Sequence, residues 1–195
     1  MQSEDYQDLS KKFAKSKNKI EEGKTEHIMN IILHQPEIPA NTGNIGRTCV
    51  ATGATLHLIE PLGFRLDEKS IKRAGMDYWE HLSVHRYVNF EEFLQKNPNA
   101  KIWMATTKAK HTYTEVSFSD DDFIMFGKES AGIPEDILVN YEDTCIRIPM
   151  LDQIRSLNLS NSVAIVLYEA LRQNDFHNMK LEGELHSLTW KDDEL

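Results

Sequence analysis

From Met29 onward, short apolar runs alternate with stretches whose apolar residues return every three or four positions. The runs "MNIIL", "TLHLI", "HLSVH", "KIWMATT", "DFIMFG" and "TCIRIPM" read as strands over residues 29–33, 55–59, 81–85, 101–107, 122–127 and 144–150. Helical spacing predicts helices over residues 43–52, 67–73, 90–95, 135–139 and 159–173. Strands alternating with helices predict an α/β fold: an open, mainly parallel sheet with helices on both faces. Ligands in such sheets bind beyond the carboxyl ends of the strands, so function is expected in the loops there.

Polar flanks bound this pattern. Residues 1–28, rich in Lys, Glu, Asp, Gln and Ser, read as a mobile arm; 29–174 form the domain and 175–195 an acidic tail. A chain of 195 residues is expected to fold as one domain with a sizeable core. "VAIVLY" and its like are too short to span a membrane. The N-terminus lacks the apolar stretch of a secretory signal, and a cytoplasmic location with no membrane partner is expected. Cys49 and Cys145 lie in apolar settings and form no C-x-x-C, so they read as reduced core thiols.

The net charge of −9 weighs mildly against a nucleic-acid partner, because phosphates are neutralised by Lys and Arg. The charge is unevenly distributed, however. The first 28 residues are balanced, whereas the tail from Asp175 carries six acids against two lysines. Basic clusters persist within the domain at Lys69, Lys72 and Arg73, and at Lys108 and Lys110.

Three loops hold more polar residues than turns require. "PEIPANTGNIGR" has the outline of a dinucleotide-binding turn, yet Asn41 stands where the first glycine of G-x-G-x-x-G belongs and Arg47 follows Gly46 directly. Gly43 and Gly46 read as turn glycines, Asn41 or Thr42 as a helix cap, and Asn44, Arg47 and Thr48 as one helix face. An arginine one turn into a helix opposes the helix dipole and calls for a reason. In "MFGKESAGIPEDIL", Glu129 lies between Gly127 and Gly132, which let a backbone come close to a ligand, and Pro134 suits a helix start. In the third loop, Ser156, Asn158, Ser160 and Asn161 crowd a helix start whose spare donors suit a carboxylate or phosphate. The helix beyond, apolar on nearly every side except Glu169, should be covered on two sides: one by the sheet, the other by a second subunit or, as a central helix of the monomer, by the chain itself. His81 and His85 are four apart in a presumed strand with no third ligand nearby, so no metal site is expected. There is no G-x-S-x-G, P-loop or H-E-x-x-H.

Together "NTGNIGR", "FGKESAGIP" and "RIPMLDQIRSLNLSNSVAIVLYEALRQ" closely resemble the three motifs of SPOUT-superfamily RNA 2′-O-ribose methyltransferases. The likeness spans residues 29–173 and is greatest to the small bacterial wobble-nucleotide group (TrmL- and YibK-like); "IEPLGFRLDEKSIKRAGMDYW" fits it too. The resemblance implies a SPOUT fold with a C-terminal deep trefoil knot, a feature that topology rules alone would exclude. It implies a homodimer binding S-adenosylmethionine, released as S-adenosylhomocysteine, through Ala105, Thr106, Gly127, Ile148, Met150, Ser156 and Leu157. Arg47 and Asn41 resemble a catalytic pair, with Glu129, Ser156 and Asn158 arranging substrate and cofactor. Arg47, Arg155 and Tyr168 are implied in RNA binding, and no metal is required. The implied substrate is the tRNA anticodon loop, methylated at the pyrimidine wobble nucleotide 34, with leucine isoacceptors expected. The alternatives are another tRNA position or ribosomal RNA, a non-catalytic RNA-binding module, or a nicotinamide-dependent oxidoreductase using Glu60 for a ribose hydroxyl.

Overall fold

A computed structural model describes residues 29–66 and 77–190. The predicted N-terminal arm, the predicted helix over 67–73 with Lys69, Lys72 and Arg73, and residues 191–195 lie outside the described residues. Seven strands form one sheet: β1 (Asn30–His34), β2 (Thr55–Ile59), β3 (Val84–Tyr87), β4 (Ile102–Ala105), β5 (His111–Thr112), β6 (Phe123–Phe126) and β7 (Cys145–Arg147). Their spatial order is β3-β2-β1-β6-β4-β7-β5, and every neighbouring pair is parallel. After β1 the chain moves outward through β2 to β3 at one edge. It then returns to build β4 on the other side, with β6 between β1 and β4.

Helix α1 (Pro39–Thr52) and helix α4 (Leu159–Gln173) cover one face; α2 (Phe90–Lys96) lies on the other with the single-turn α3 (Glu135–Leu138). Ile31, Leu33, Leu58, Ile124 and Phe126 meet Ile45, Cys49, Val163, Val166 and Leu167 on the first face. Ile32, Met104 and Met125 meet Phe90, Phe93 and Leu138 on the second. Burial on both faces explains why the strands read as continuous apolar runs rather than alternating ones. Both cysteines are buried and free, and burial pushes the Cys49 thiol up to about 12. His57, in the middle of β2, contacts the Asn30 amide oxygen at 3.1 Å and the Tyr87 hydroxyl at 2.9 Å. Burial, and next to it His85, push its pKa down to about 3, so it is a neutral core residue.

The structure revises several expected elements. α1 starts at Pro39, so Asn41, Thr42, Gly43 and Gly46 lie within the helix rather than in a turn. Its N-cap is Ile38, which makes no side-chain cap, so neither Asn41 nor Thr42 has that role. Gly46 allows close packing: a Cβ there would stand 3.0 Å from Trp79 and 3.2 Å from Leu82. His81 ends a 3-10 turn (Asp77–His81), and β3 begins only at Val84. The short edge strand β5 was not foreseen, whereas α4 spans the predicted 159–173. Val166 and Leu167 face the core of the same chain; the outward apolar residues of α4 are Ile165 and Tyr168, 37% and 42% exposed.

Candidate active site

The carboxyl ends of the adjacent strands β6, β4 and β7 open onto a cavity of about 370 Å³, within the range of small-molecule sites. It extends to Ile38 and Asn41 after β1 and so reaches the β1–β6 boundary where the strand order reverses, the position at which open parallel sheets bind ligands. Ala105 and Thr106 line it after β4, Gly127 to Gly132 after β6, and Ile148, Met150, Ser156 and Leu157 after β7. All seven residues expected to hold the cofactor are therefore in its wall. Phe126, Ile146 and Val166 supply apolar surface, and Asn41 and Asn158 supply amides. Apolar walls with a few convergent polar groups are what small-molecule sites are usually made of.

Hydrogen bonds join the three loops at the cavity mouth. The Glu129 carboxylate accepts from the backbone N–H of Glu37 at 2.8 Å and of Ile38 at 3.2 Å, and from the Asn41 amide at 2.9 Å. A residue about ninety positions away thus satisfies donors at the start of α1, where a local cap is missing. In return, the Glu37 carboxylate accepts from the N–H and the hydroxyl of Ser130, both at 2.9 Å, and these bonds hold its pKa below the usual range. The Asn41 Oδ1 accepts from the Asn158 amide at 3.0 Å. The Asn158 Oδ1 caps α4 by accepting from the N–H of Ser160 and of Asn161 and from the Ser160 hydroxyl. Glu129, Asn41 and Asn158 therefore form one relay between the β6 loop, α1 and α4.

Gly127 has a different reason than expected. A Cβ there would lie 1.9 Å from the Gly132 carbonyl carbon and 2.1 Å from the Ile133 nitrogen. The glycine allows the loop to close on itself, with the Gly132 N–H donating to the Lys128 carbonyl at 2.8 Å.

Arg47, Arg155 and Tyr168 do not line the cavity. Arg47 is exposed on α1 at the ninth of fourteen positions, past the first turn, so the expected clash with the helix dipole does not arise. Its guanidinium lies over the Tyr78 ring, 4.9 Å from the centroid, and the Tyr78 hydroxyl donates to the Gly43 carbonyl at 2.6 Å. Arg155 is exposed in the loop before α4. Glu60 contacts Arg86 at 2.5 Å and is absent from the cavity wall, so it is not placed to bind a nucleotide ribose there. Sequence reading passed over two residues: Tyr78, within the quoted "MDYW", and Arg147, which opens the third motif and lines the cavity.

Residues 28–168 match the model of the SpoU rRNA Methylase family. The chain belongs to that family. It is accordingly a methyltransferase, which leaves no place for the oxidoreductase alternative. Over 154 residues it is 46% identical to a tRNA (cytidine(34)-2′-O)-methyltransferase of Saccharophagus degradans, covering 78% of this chain and 100% of that one. A solved Bacillus anthracis protein, provisionally described as an RNA methyltransferase, is 47% identical with a TM-score of 0.76, over 80% of this chain and 99% of the other. An AdoMet-bound rRNA methyltransferase from Sinorhizobium meliloti is 26% identical with a TM-score of 0.65, over 74% of this chain and 56% of its own. No group of three or more His, Cys, Asp or Glu able to hold a metal occurs among the described residues, and no helix there is long and apolar enough to cross a membrane.

Proposed function

We propose that this protein methylates the ribose 2′-hydroxyl of the pyrimidine wobble nucleotide, position 34, in the tRNA anticodon loop, with leucine isoacceptors as substrates. The reading rests above all on the cavity, whose wall holds every expected cofactor residue and whose mouth is joined by the Glu129–Asn41–Asn158 relay. The name of the Saccharophagus degradans relative supports position 34. S-adenosylmethionine, held in the cavity, supplies a methyl sulfonium as electrophile; no metal is needed. The C-terminal segment is proposed to form the trefoil knot, and two chains to pair through α4, around its outward Ile165, as an isologous dimer. A solution mass of one chain, 22.5 kDa, would contradict the pairing.

The chain's own residues divide the work. Both ends of the Asn41 amide are occupied, as is the Glu129 carboxylate, so these groups fix the geometry of the mouth. Ser156 and Leu157 line the cavity just before α4. The Arg47 guanidinium orients the ribose and stabilises negative charge developing on the attacking oxygen, whose proton is released to water. Arg155 and Tyr168 extend the RNA surface beyond the mouth. A single-stranded loop can present its ribose there without a duplex being melted.

Two measurements test the reading. S-adenosylhomocysteine should raise the melting temperature because it binds only the folded chain, and NADH should not. Incubation with total tRNA and nuclease mapping should locate one 2′-O-methyl group at nucleotide 34 of leucine isoacceptors. Methylation only at another nucleotide would refute the substrate; a thermal response to NADH but not to S-adenosylhomocysteine would refute the cofactor.

A further inference from the structure

The charge of the cavity differs from that of the chain. Its charged lining residues are Lys108, Lys128, Glu129 and Arg147, in a protein of net charge −9. The one carboxylate among them is already engaged by three N–H donors of α1 and its entry. Lys108 is held by Glu135 at 3.0 Å. Lys128, after β6, and Arg147, at the end of β7, are half-buried cations at the cavity, and Lys128 also lies within electrostatic range of the Glu37 carboxylate.

The proposed cofactor does not account for them. S-adenosylmethionine carries a sulfonium and an ammonium against one carboxylate, a net positive charge that a cationic wall repels. A polyanion gains from such a wall, the more so when it is recessed and water is partly excluded. Arg147 presents a planar fork suited to two phosphate oxygens, and Lys128 a point charge.

Building on the methyltransferase reading above, we infer that Arg147 and Lys128 form a phosphate clamp. It holds the RNA backbone next to the target nucleotide, so that the ribose is drawn to the mouth where the Asn41 relay lies. The clamp explains how an acidic protein can bind RNA: attraction is concentrated at the cavity instead of spread over the surface.

The test is tRNA affinity as a function of salt for wild type, Arg147→Gln and Lys128→Ala, beside the affinity of each for S-adenosylhomocysteine. Each substitution should lower the slope of log K against log salt by about 0.7, the value for one single-strand phosphate contact. Each should also weaken tRNA binding by about fivefold near 0.15 M salt. S-adenosylhomocysteine affinity and melting temperature should stay at wild-type values. An unchanged salt slope in both variants, with wild-type tRNA binding and methylation intact, would overturn the clamp alone. Loss of S-adenosylhomocysteine affinity in Arg147→Gln at an unchanged slope would reassign Arg147 to the cofactor carboxylate and overturn it as well. A wild-type protein that binds no tRNA would remove the methyltransferase substrate and the clamp together.

Discussion

The cavity mouth and the Arg47 face of α1 are built in opposite ways. At the mouth, Glu129, Asn41 and Asn158 use their polar atoms on one another and on helix N-termini. On the α1 face, an exposed guanidinium rests on one aromatic ring, itself tethered to the same helix through Gly43. The first region is set before any ligand arrives. The second keeps its donors available, since an arginine carries five and a ring contact uses none of them. A pocket braced by its own hydrogen bonds and a lightly held cation outside its wall suit two ligands of different kinds: a small one that needs a fixed shape and a large one that brings its own anions.

The contrast can be broken first at Arg47. Arg47→Ala should reduce methyl transfer by about a thousandfold, the scale of losing one preorganised charge-stabilising group. The thermal shift from S-adenosylhomocysteine should remain, because Arg47 is not in the cavity wall. Full activity would remove Arg47 from the chemistry; loss of the shift would make the two regions one.

At the mouth the effect should reverse. Glu129→Gln puts an amide N–H2 where one carboxylate oxygen accepts, leaving a donor of the α1 entry unmatched at a cost of about 1–3 kcal/mol. Both S-adenosylhomocysteine affinity and melting temperature should fall. If titration calorimetry and melting gave wild-type values, the relay would have no structural role.

The smallest effect belongs to Tyr78. Tyr78→Leu removes a cation–π contact of about 0.5–1 kcal/mol and should lower kcat a few-fold with cofactor affinity unchanged. Tyr78→Phe keeps the ring and should retain most of the activity. Equal impairment of the two would place the effect in the Gly43 hydrogen bond instead of the ring.

Much of the fold was legible because a doubly covered parallel sheet writes itself as apolar runs, and α4 carries a buried stripe at Val163, Val166, Leu167 and Ala170. The start of α1 was not. Its cap comes from Glu129, far along the chain, so no local signal at Asn41 or Thr42 could reveal it. Gly46 was read as a turn residue because the reason for it, Trp79, is a packing partner and not a neighbour in sequence. At the site, the seven residues that the resemblance assigned to the cofactor all line one cavity. The motifs did not show that Arg47 lies outside it, or that Arg147 lies inside. Tyr78 and Arg147 stood within quoted segments, but their roles arise only once α1 and β7 have their neighbours.

The all-parallel strand order also governs how the protein comes into being on the ribosome. β1 finds β2 soon after synthesis, but its other edge pairs with residues 123–126, so it stays open until most of the domain has been made. β4, already synthesised by residue 105, likewise waits for β6 and then β7. The apolar face under α4 stays uncovered until the helix ending at Gln173 has left the exit tunnel. Contacts so distant in sequence slow folding and expose sticky edges in the meantime. The cavity, begun at Asn41 on the first helix, is closed only by the last pieces to arrive, so a chain cut short before α4 lacks part of its wall: maturation of the fold and completion of the site are one event.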